Sequence, residues 1–230
     1  MKNSAVSSLG SEALGTLFFV FLGACAVATV SAVGLGAGLA WALALIVAVW
    51  VFSAGGGHLN PWVTLALALR GKVSWAAVPG HIIAQLVGGL VGALLAWWLF
   101  SSSLGDQGAG LAATHTAAEG SQLFGALAAE ALATLVVVAV VYRLIGSGPL
   151  YGLGYGLAYG AGVLAIAGLT GASMNFARTL GAELSLTFAG GEGADWGNIW
   201  VYLVGPAVGV VLAWLLHPLY GGSETSTSES

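Results

Sequence analysis

The chain has 230 residues, of which 58% are hydrophobic and only 6% are charged, and its formal net charge is −4. A soluble domain needs a much larger charged surface, and without a basic cluster the sequence gives no support to nucleic-acid binding. The single Cys25 excludes an intrachain disulfide. The composition therefore predicts an integral membrane protein, with room for six crossing segments of about 20 residues each.

Taken in chain order, the apolar segments predict six crossing helices and two shorter ones. The six crossing segments are residues 12–31, 36–54, 75–100, 122–142, 151–169 and 199–216. A turn and a short run at 61–69 follow the second crossing, and a similar run at 176–187 follows the fifth. Neither run is long enough to cross a bilayer, so each predicts a re-entrant half-helix. The expected fold class is an all-α membrane protein with six transmembrane helices and two re-entrant half-helices.

The two halves of the sequence repeat each other. EALGTLFFVFLGA begins at Glu12 and EALATLVVVAVVY at Glu130, and GGGHLNPW and TGASMNFA follow them at similar distances. Because each half contains three crossings, the second copy must be inverted relative to the first, and the functional site is expected where the repeats meet. The domain boundaries that follow are a first half-repeat at 1–101, a connecting loop at 102–120, a second half-repeat at 121–219 and a disordered polar tail at 220–230.

The charged residues outside the crossings separate by sign. The basic ones lie on one side of the predicted layout and the acidic loop residues on the other: Lys2, Arg70, Lys72 and Arg143 against Asp106, Glu119, Glu192 and Asp195. Cytoplasmic loops of membrane proteins are enriched in Lys and Arg. We therefore predict a multi-pass protein with both termini in the cytoplasm. The lack of long extensions or of a targeting segment favours the plasma membrane.

Asn60 and Asn175 each precede a half-helix, at a position where Asn caps a helix N-terminus. Two opposed half-helices would direct the positive ends of their dipoles at one point in the middle of the membrane. These ends repel cations, while the Asn amides donate hydrogen bonds to a passing oxygen. The pair therefore predicts a pore for uncharged solutes. An Asn that only caps a buried turn is the simpler alternative, and a pair in inverted repeat disfavours it.

Five further polar residues are assigned roles at the filter or around these turns. Arg178 follows Asn175 closely, and a charge in the membrane costs about 2.5–3.5 kcal/mol even on lenient scales. We expect it to line an outer constriction, with a purely structural bond to loop carbonyls as the alternative. Glu12 and Glu130 are expected to hold the turns through hydrogen bonds rather than to carry protons. The remaining two, His58 and Gln85, are assigned to the same scaffold.

The motifs GGGHLNP, AQLVGG, TGASMN and the following Ala-Arg resemble those of the aquaporin or major intrinsic protein family over essentially the whole chain. The resemblance implies a homotetramer with one pore per protomer, passing water or small neutral solutes. It also implies an outer selectivity filter, formed by Trp41, Val163, Ala172 and Arg178. Ala40 is the alternative to Trp41, because Trp41 lies one residue nearer to Asn60 than is usual in the family.

The composition of this filter favours polyols. Strict water channels of the family usually carry a His in the filter, whereas Val163 and Ala172 are small and apolar. An apolar wall accepts a carbon skeleton while Arg178 binds hydroxyls, so the filter resembles those of the glycerol-facilitating and nodulin-26-like branches. The alternative is that Val163 and Ala172 are ordinary helix positions and that the pore is sized elsewhere.

Two positions depart from the family's Asn-Pro-Ala motif. The first copy reads Asn60-Pro61-Trp62, and the second has Phe176 where the family has Pro. Phe176 is expected to meet Pro61 at the midplane. Either the two aromatic side chains fill space against Gly and Ala and leave both Asn residues in the lumen, or one of them narrows or plugs the pore.

Three other function classes compete with a channel. A secondary transporter also uses inverted repeats, but it normally carries ionisable groups for coupling, and only Arg178 qualifies here. A membrane enzyme is disfavoured because no Ser–His pair, paired Asp or zinc spacing occurs within the crossings, and His81 and His115 are not at metal-ligand spacing. A structural protein with a narrowed or non-conducting pore rests on Trp62 and Phe176. We predict a passive channel for water and neutral solutes such as glycerol, without catalysis, metal or cofactor.

Overall fold

A computed structural model describes residues 5–30, 36–104, 113–116, 118–190 and 193–221. Among the sequence predictions, those for Lys2, Asp106 and Glu192, for part of the connecting loop and for the tail from residue 222 lie outside the described residues. Helices form most of what is described. In chain order they are α1 (Ala5–Val30), α2 (Gly36–Phe52), α3 (Pro61–Leu69), α4 (Val78–Leu104), α5 (Gln122–Leu144), α6 (Pro149–Thr170), α7 (Phe176–Phe188) and α8 (Val201–Tyr220).

Helix length separates the crossing helices from the half-helices. By length and composition, five of the described helices can cross a membrane, namely α1, α4, α5, α6 and α8, and α2 is a shorter apolar helix of 17 residues. The half-helices α3 and α7 have 9 and 13 residues. These lengths agree with the predicted division into crossing helices and half-helices.

Some helix ends differ from the sequence prediction. Helix α1 begins at Ala5 rather than at residue 12, because polar Ser residues of its first turns find partners: Ser11 donates to the Phe52 carbonyl at 2.6 Å. Helix α4 begins at Val78 rather than at residue 75. Pro79 then occupies the first turn, where its missing N–H leaves no hydrogen bond unmade.

The inverted repeat is visible in the helix pairing. Helix α1 packs on α2 and α4, and in the second half α5 packs on α6 and α8 in the same way. Each half-helix packs on a helix of the other repeat: α7 packs on α4, and α3 packs on α8. Each half-helix therefore lies against the last crossing helix of the opposite half, and this exchange brings the two half-helices to one place between the repeats.

Equivalent pairs of glycines allow close helix contacts in both halves. A Cβ at Gly88 or Gly92 of α4 would lie 2.2 and 2.4 Å from backbone oxygens of α1. A Cβ at Gly205 or Gly209 of α8 would lie 3.0 and 2.3 Å from backbone oxygens of α5. Small residues four apart are how helices approach closely in a membrane, where packing drives association. The two halves thus pack their helices closely in the same way, with a pair of glycines at equivalent positions.

Candidate solute pore

Both half-helices begin at an Asn that caps its own helix. The Asn60 Oδ1 accepts from the backbone N–H of Trp62 at 2.9 Å. The Asn175 Oδ1 accepts from the backbone N–H groups of Ala177 at 3.0 Å and Arg178 at 3.4 Å. Pro61 is the first residue of α3, where proline is favoured, whereas α7 begins at Phe176 without that restriction.

The same two Asn side chains join the half-helices to each other. The Asn60 Nδ2 donates to the Met174 carbonyl at 2.8 Å, and the Asn175 Nδ2 donates to the Leu59 carbonyl at 2.8 Å. Each amide therefore binds the residue that precedes the other Asn. The two Asn side chains are 1% and 0% exposed. The N-termini of α3 and α7 consequently meet in the interior of the protein, with both dipoles directed at the meeting point.

Glu12 holds the first turn from α1. Its Oε1 accepts from the backbone N–H of His58 at 2.9 Å, and its Oε2 accepts from that of Leu59 at 2.8 Å. Gln85 of α4 donates to Glu12 Oε2 at 2.7 Å and to the Thr64 hydroxyl at 2.8 Å. The ring of His58 lies 3.2 Å from that hydroxyl. Glu12, Gln85 and His58 therefore form one buried network around the turn.

Glu130 does the same for the second turn from α5. Its Oε1 accepts from the backbone N–H of Ser173 at 2.8 Å and from the Thr170 hydroxyl at 2.7 Å. Its Oε2 accepts from the backbone N–H of Met174 at 2.8 Å. Each glutamate thus binds the two N–H groups that precede an Asn.

The residue before each Asn has a left-handed backbone. The φ angle is 49° at Leu59 and 48° at Met174. This conformation costs about 1–3 kcal/mol in a residue with a Cβ. Paired hydrogen bonds to a buried carboxylate offset that cost, so the glutamates determine the backbone shape of both turns.

Arg178 lies beneath an aromatic ring. Its guanidinium carbon is 4.8 Å from the centre of the Trp41 ring, and its Nη2 donates to the Gly171 carbonyl at 3.2 Å. The Nε and Nη1 atoms have no partner among the described residues, although the side chain is only 3% exposed. Buried donors without a partner are rare. Ala40, the alternative to Trp41, instead lines an apolar groove between α1 and α2.

The other two residues of the predicted filter lie in the same buried cluster as Trp41. Val163 is 2% exposed and Ala172 is 0% exposed, and both belong to the main apolar core with Trp41 and Tyr159. Ala172 has a φ of 54°. The structure thus brings Trp41 and Arg178 into direct contact and places Val163 and Ala172 in the same core.

Trp62 and Phe176 pack elsewhere. Both belong to a second apolar cluster against α5 and α8, whose buried members include Val138 and Val210. Their neighbours are therefore branched apolar residues as well as alanines, rather than the Gly and Ala expected from the sequence. The Trp62 indole N–H has no hydrogen-bond partner among the described residues. This cluster is distinct from the one that contains Trp41 and Val163.

The sequence of the chain matches that of a known protein family. The sequence pattern described as Major intrinsic protein matches residues 1–217. The chain belongs to the major intrinsic protein family. Members of this family are membrane channels, so the predictions of a membrane channel and of a protein that is not an enzyme are confirmed.

Several major intrinsic proteins share about a third of their residues with this chain. It is 35% identical to the glycerol uptake facilitator protein-like 6 of Lactiplantibacillus plantarum, over 88% of this chain and 93% of that protein. It is 32% identical to the glycerol uptake facilitator protein of Streptococcus pneumoniae, over 94% of this chain and 100% of that protein. It is 37% identical to aquaporin NIP1-3 of Oryza sativa, over 89% of this chain and 70% of that protein.

The fold is also that of a solved major intrinsic protein. The X-ray structure of the aquaglyceroporin from Plasmodium falciparum superimposes with a TM-score of 0.80 at 26% sequence identity. The match covers 94% of this chain and 99% of that one. The similarity extends over both halves, so the predicted fold class, an all-α membrane protein with six transmembrane helices and two half-helices, is confirmed.

Three tyrosines that face the two turns of this major intrinsic protein were not predicted from the sequence. Tyr151, Tyr155 and Tyr159 are spaced by four residues along α6, in the segment YGLGYGLAY. Their hydroxyls donate to backbone carbonyls at 3.0, 2.9 and 2.7 Å, namely those of Gly57, His58 and Ser173. The four-residue spacing was the available signal, since it places side chains on one helix face.

Proposed function

We propose that the protein is a passive transmembrane channel for water and small neutral solutes such as glycerol, and that it excludes protons and ions. The observation that carries the proposal is the crossed pair of Asn60 and Asn175. Each amide caps one half-helix and binds the turn of the other half at 2.8 Å. An Asn amide has two N–H donors, so the pair can present donors to a passing oxygen.

The charges around the pair support the exclusion of cations. Two helix N-termini meet at the midplane, each with roughly half a positive charge. A third positive group, the Arg178 guanidinium, lies a short distance along α7, and two of its nitrogens have no protein partner in the described part of the chain. A cation would meet repulsion at both places, whereas a neutral hydroxylic solute would find hydrogen-bond donors.

The predicted filter supports a polyol as the solute. Trp41 provides an aromatic wall over Arg178, and Val163 and Ala172 are small and apolar. Such a surface accommodates carbon atoms on one side while the guanidinium binds hydroxyls on the other. Two relatives that are 35% and 32% identical to this chain carry the name glycerol uptake facilitator protein or protein-like, which agrees with the proposal.

The membrane and the assembly are part of the proposal. We infer a plasma-membrane protein with both termini in the cytoplasm. The orientation is supported by Arg143 near the end of α5, which donates to the Gly221 carbonyl at 3.0 Å, so the end of α8 lies beside a basic residue, and cytoplasmic segments are enriched in such residues. The family resemblance supports a homotetramer with one pore per protomer. The mass of the detergent-purified assembly, measured by light scattering, tests the protomer number.

A narrowed channel is the second candidate function. The burial of the residues along the proposed path favours it, whereas the position of Trp62 does not. Asn60 is 1% exposed and Arg178 is 3% exposed, so the path past both residues is tight. Trp62 and Phe176, on which the sequence-based alternative relied, pack against α5 and α8.

Stopped-flow light scattering separates the two candidates. Proteoliposomes are exposed to sucrose, glycerol and urea in parallel. The expected result is faster water efflux and faster glycerol entry than in protein-free liposomes, with no proton leak in a pH-dye assay of the same vesicles. A folded, reconstituted sample that is no more permeable than empty liposomes to any of these solutes would contradict the channel proposal and favour the narrowed candidate.

A further inference from the structure

We propose that Tyr151, Tyr155 and Tyr159, here called the tyrosine row, form the constriction that sets the size limit of the channel. The row, rather than the contact between Trp41 and Arg178, then determines how fast a polyol passes relative to water. This inference rests on the proposed channel function and deepens it, because it assigns solute selection to residues outside the filter and the Asn pair.

The row spans both repeats. Its members lie on one face of α6 and are 5%, 0% and 0% exposed. Tyr151 and Tyr155 reach the first turn, at the Gly57 and His58 carbonyls, and Tyr159 reaches the second turn, at the Ser173 carbonyl. One helix therefore bridges to the backbone on both sides of the meeting point of α3 and α7.

The carbonyls that the row occupies are the ones a solute needs. In each turn the neighbouring backbone N–H groups are bound by Glu12 or Glu130. The Gly57, His58 and Ser173 carbonyls point toward α6, because each accepts a hydrogen bond from a tyrosine of that helix. A carbonyl oxygen has two lone pairs, so these carbonyls are the acceptors available to a solute hydroxyl.

Each tyrosine changes the hydrogen-bonding groups and the free space that a solute encounters between α6 and the turn. A phenol hydroxyl has one hydrogen, and here that hydrogen is already donated to a carbonyl. The phenol oxygen keeps its acceptor capacity, but the ring fills the space between α6 and the turn. Water needs only a small gap beside the hydroxyls, whereas a polyol has a carbon skeleton that the rings must accommodate.

The rings continue into the filter. The Tyr151 and Tyr155 rings stack with centres 5.8 Å apart. Tyr159 makes an edge contact with Phe19 at 5.3 Å, and Phe19 makes another with Trp41 at 5.2 Å. At the other end, Tyr151 lines a cavity of about 730 Å³ beside the turn between α5 and α6. The aromatic lining thus runs from that cavity to the filter, and close packing leaves the row little freedom.

Truncating the row tests the proposal. Tyr155→Val and Tyr159→Val remove a ring from the path, and the expected result is glycerol permeability about tenfold above wild type with about twofold or less change for water. Tyr155→Phe keeps the ring and loses the hydroxyl, so the ratio of glycerol to water permeability should stay within about twofold of wild type. Both rates are measured on the same proteoliposomes by stopped-flow light scattering.

A matched control lies outside the row. Tyr142 of α5 also donates its hydroxyl to a backbone carbonyl, that of Ala66 at 2.8 Å. It packs between the main core and the Trp62 cluster and is not part of the row on α6. Tyr142→Val should leave the ratio of glycerol to water permeability at the wild-type value. Gel-filtration profile and thermal unfolding in detergent establish that every compared variant is folded.

The outcomes separate this inference from the proposed function. If wild type conducts and folded Tyr155→Val and Tyr159→Val keep its permeability ratio, the tyrosine row is not the constriction, while the channel function stands. A Trp41→Ala variant that raises glycerol entry more than either Val variant would also overturn the inference, because the filter would then set the limit. If wild type and all variants conduct nothing, the channel function itself is wrong.

Discussion

At the scale of single residues, two buried glutamates hold the turns that precede Asn60 and Asn175. Glu12 and Glu130 are both 0% exposed, and each accepts two backbone N–H bonds from the turn that precedes an Asn. The repeat of Glu and Asn in the sequence predicted their role as acceptors. The bound atoms could not be predicted, because they depend on left-handed backbone at Leu59 and Met174, for which neither residue type has a preference.

Glu130→Gln tests that role. The amide keeps one oxygen, but its NH2 group would face a backbone N–H, so a buried donor loses its acceptor. We expect a loss of about 1–3 kcal/mol in the free energy of unfolding, and a lower permeability because the second turn no longer holds Asn175. Thermal unfolding of the purified protein in detergent, followed by tryptophan fluorescence, measures the change. Glu119→Gln at an exposed position is the control, and equal melting temperatures for the two variants would contradict the assignment.

The surroundings of the tyrosine row could not be predicted from the sequence. The spacing of Tyr151, Tyr155 and Tyr159 is compatible with any helix face, including one that meets lipid. Their partners are backbone carbonyls more than a dozen residues away in the chain. Every residue has a backbone carbonyl, so the sequence does not indicate which carbonyls will accept these bonds. Only the tertiary arrangement identifies the face that they line.

At the scale of helices, hydropathy predicted the crossings and short length predicted the half-helices, while the ends depended on local chemistry. Pro79 marks the start of α4, and Ser11 extends α1 beyond the apolar segment because it bonds to the Phe52 carbonyl. The packing of Trp62 and Phe176 could not be predicted, since it requires knowing that α3 lies against α8. The size of the two aromatic side chains was compatible both with packing beside the half-helices and with narrowing of the pore.

Alanine substitution at two glycines should have opposite effects on stability. Glycine in a helix interior is less favourable than alanine by about 0.5–1 kcal/mol. At Gly125 of α5 an added Cβ meets nothing within 4 Å, so Gly125→Ala should raise the melting temperature. At Gly92 of α4 the Cβ would lie 2.4 Å from the Leu17 carbonyl oxygen, so Gly92→Ala should lower it by separating α1 from α4. Differential scanning fluorimetry in detergent measures both; a rise at Gly92 would disprove the close contact.

At the scale of the whole molecule, the described charges separate along the direction in which the helices run. Arg70, Lys72 and Tyr142 line a small cavity near the end of α8. Asp195 lies at the other side, where it accepts from the backbone N–H of Thr116 at 3.0 Å. A few charged residues in the loops therefore suggest the orientation of a chain that is otherwise almost uncharged.

Site-directed labelling tests this orientation. Cys25 is the only cysteine, so a Cys25→Ser background allows one new thiol at a time. Lys72 and Glu119 are both exposed and lie on opposite sides of the layout. In intact cells a membrane-impermeant maleimide should label Glu119→Cys and leave Lys72→Cys unlabelled, because the basic side faces the cytoplasm. After permeabilisation both should react, which shows that each thiol is accessible. Labelling of Lys72→Cys alone in intact cells would require the opposite orientation, with Arg178 then lying toward the cytoplasm.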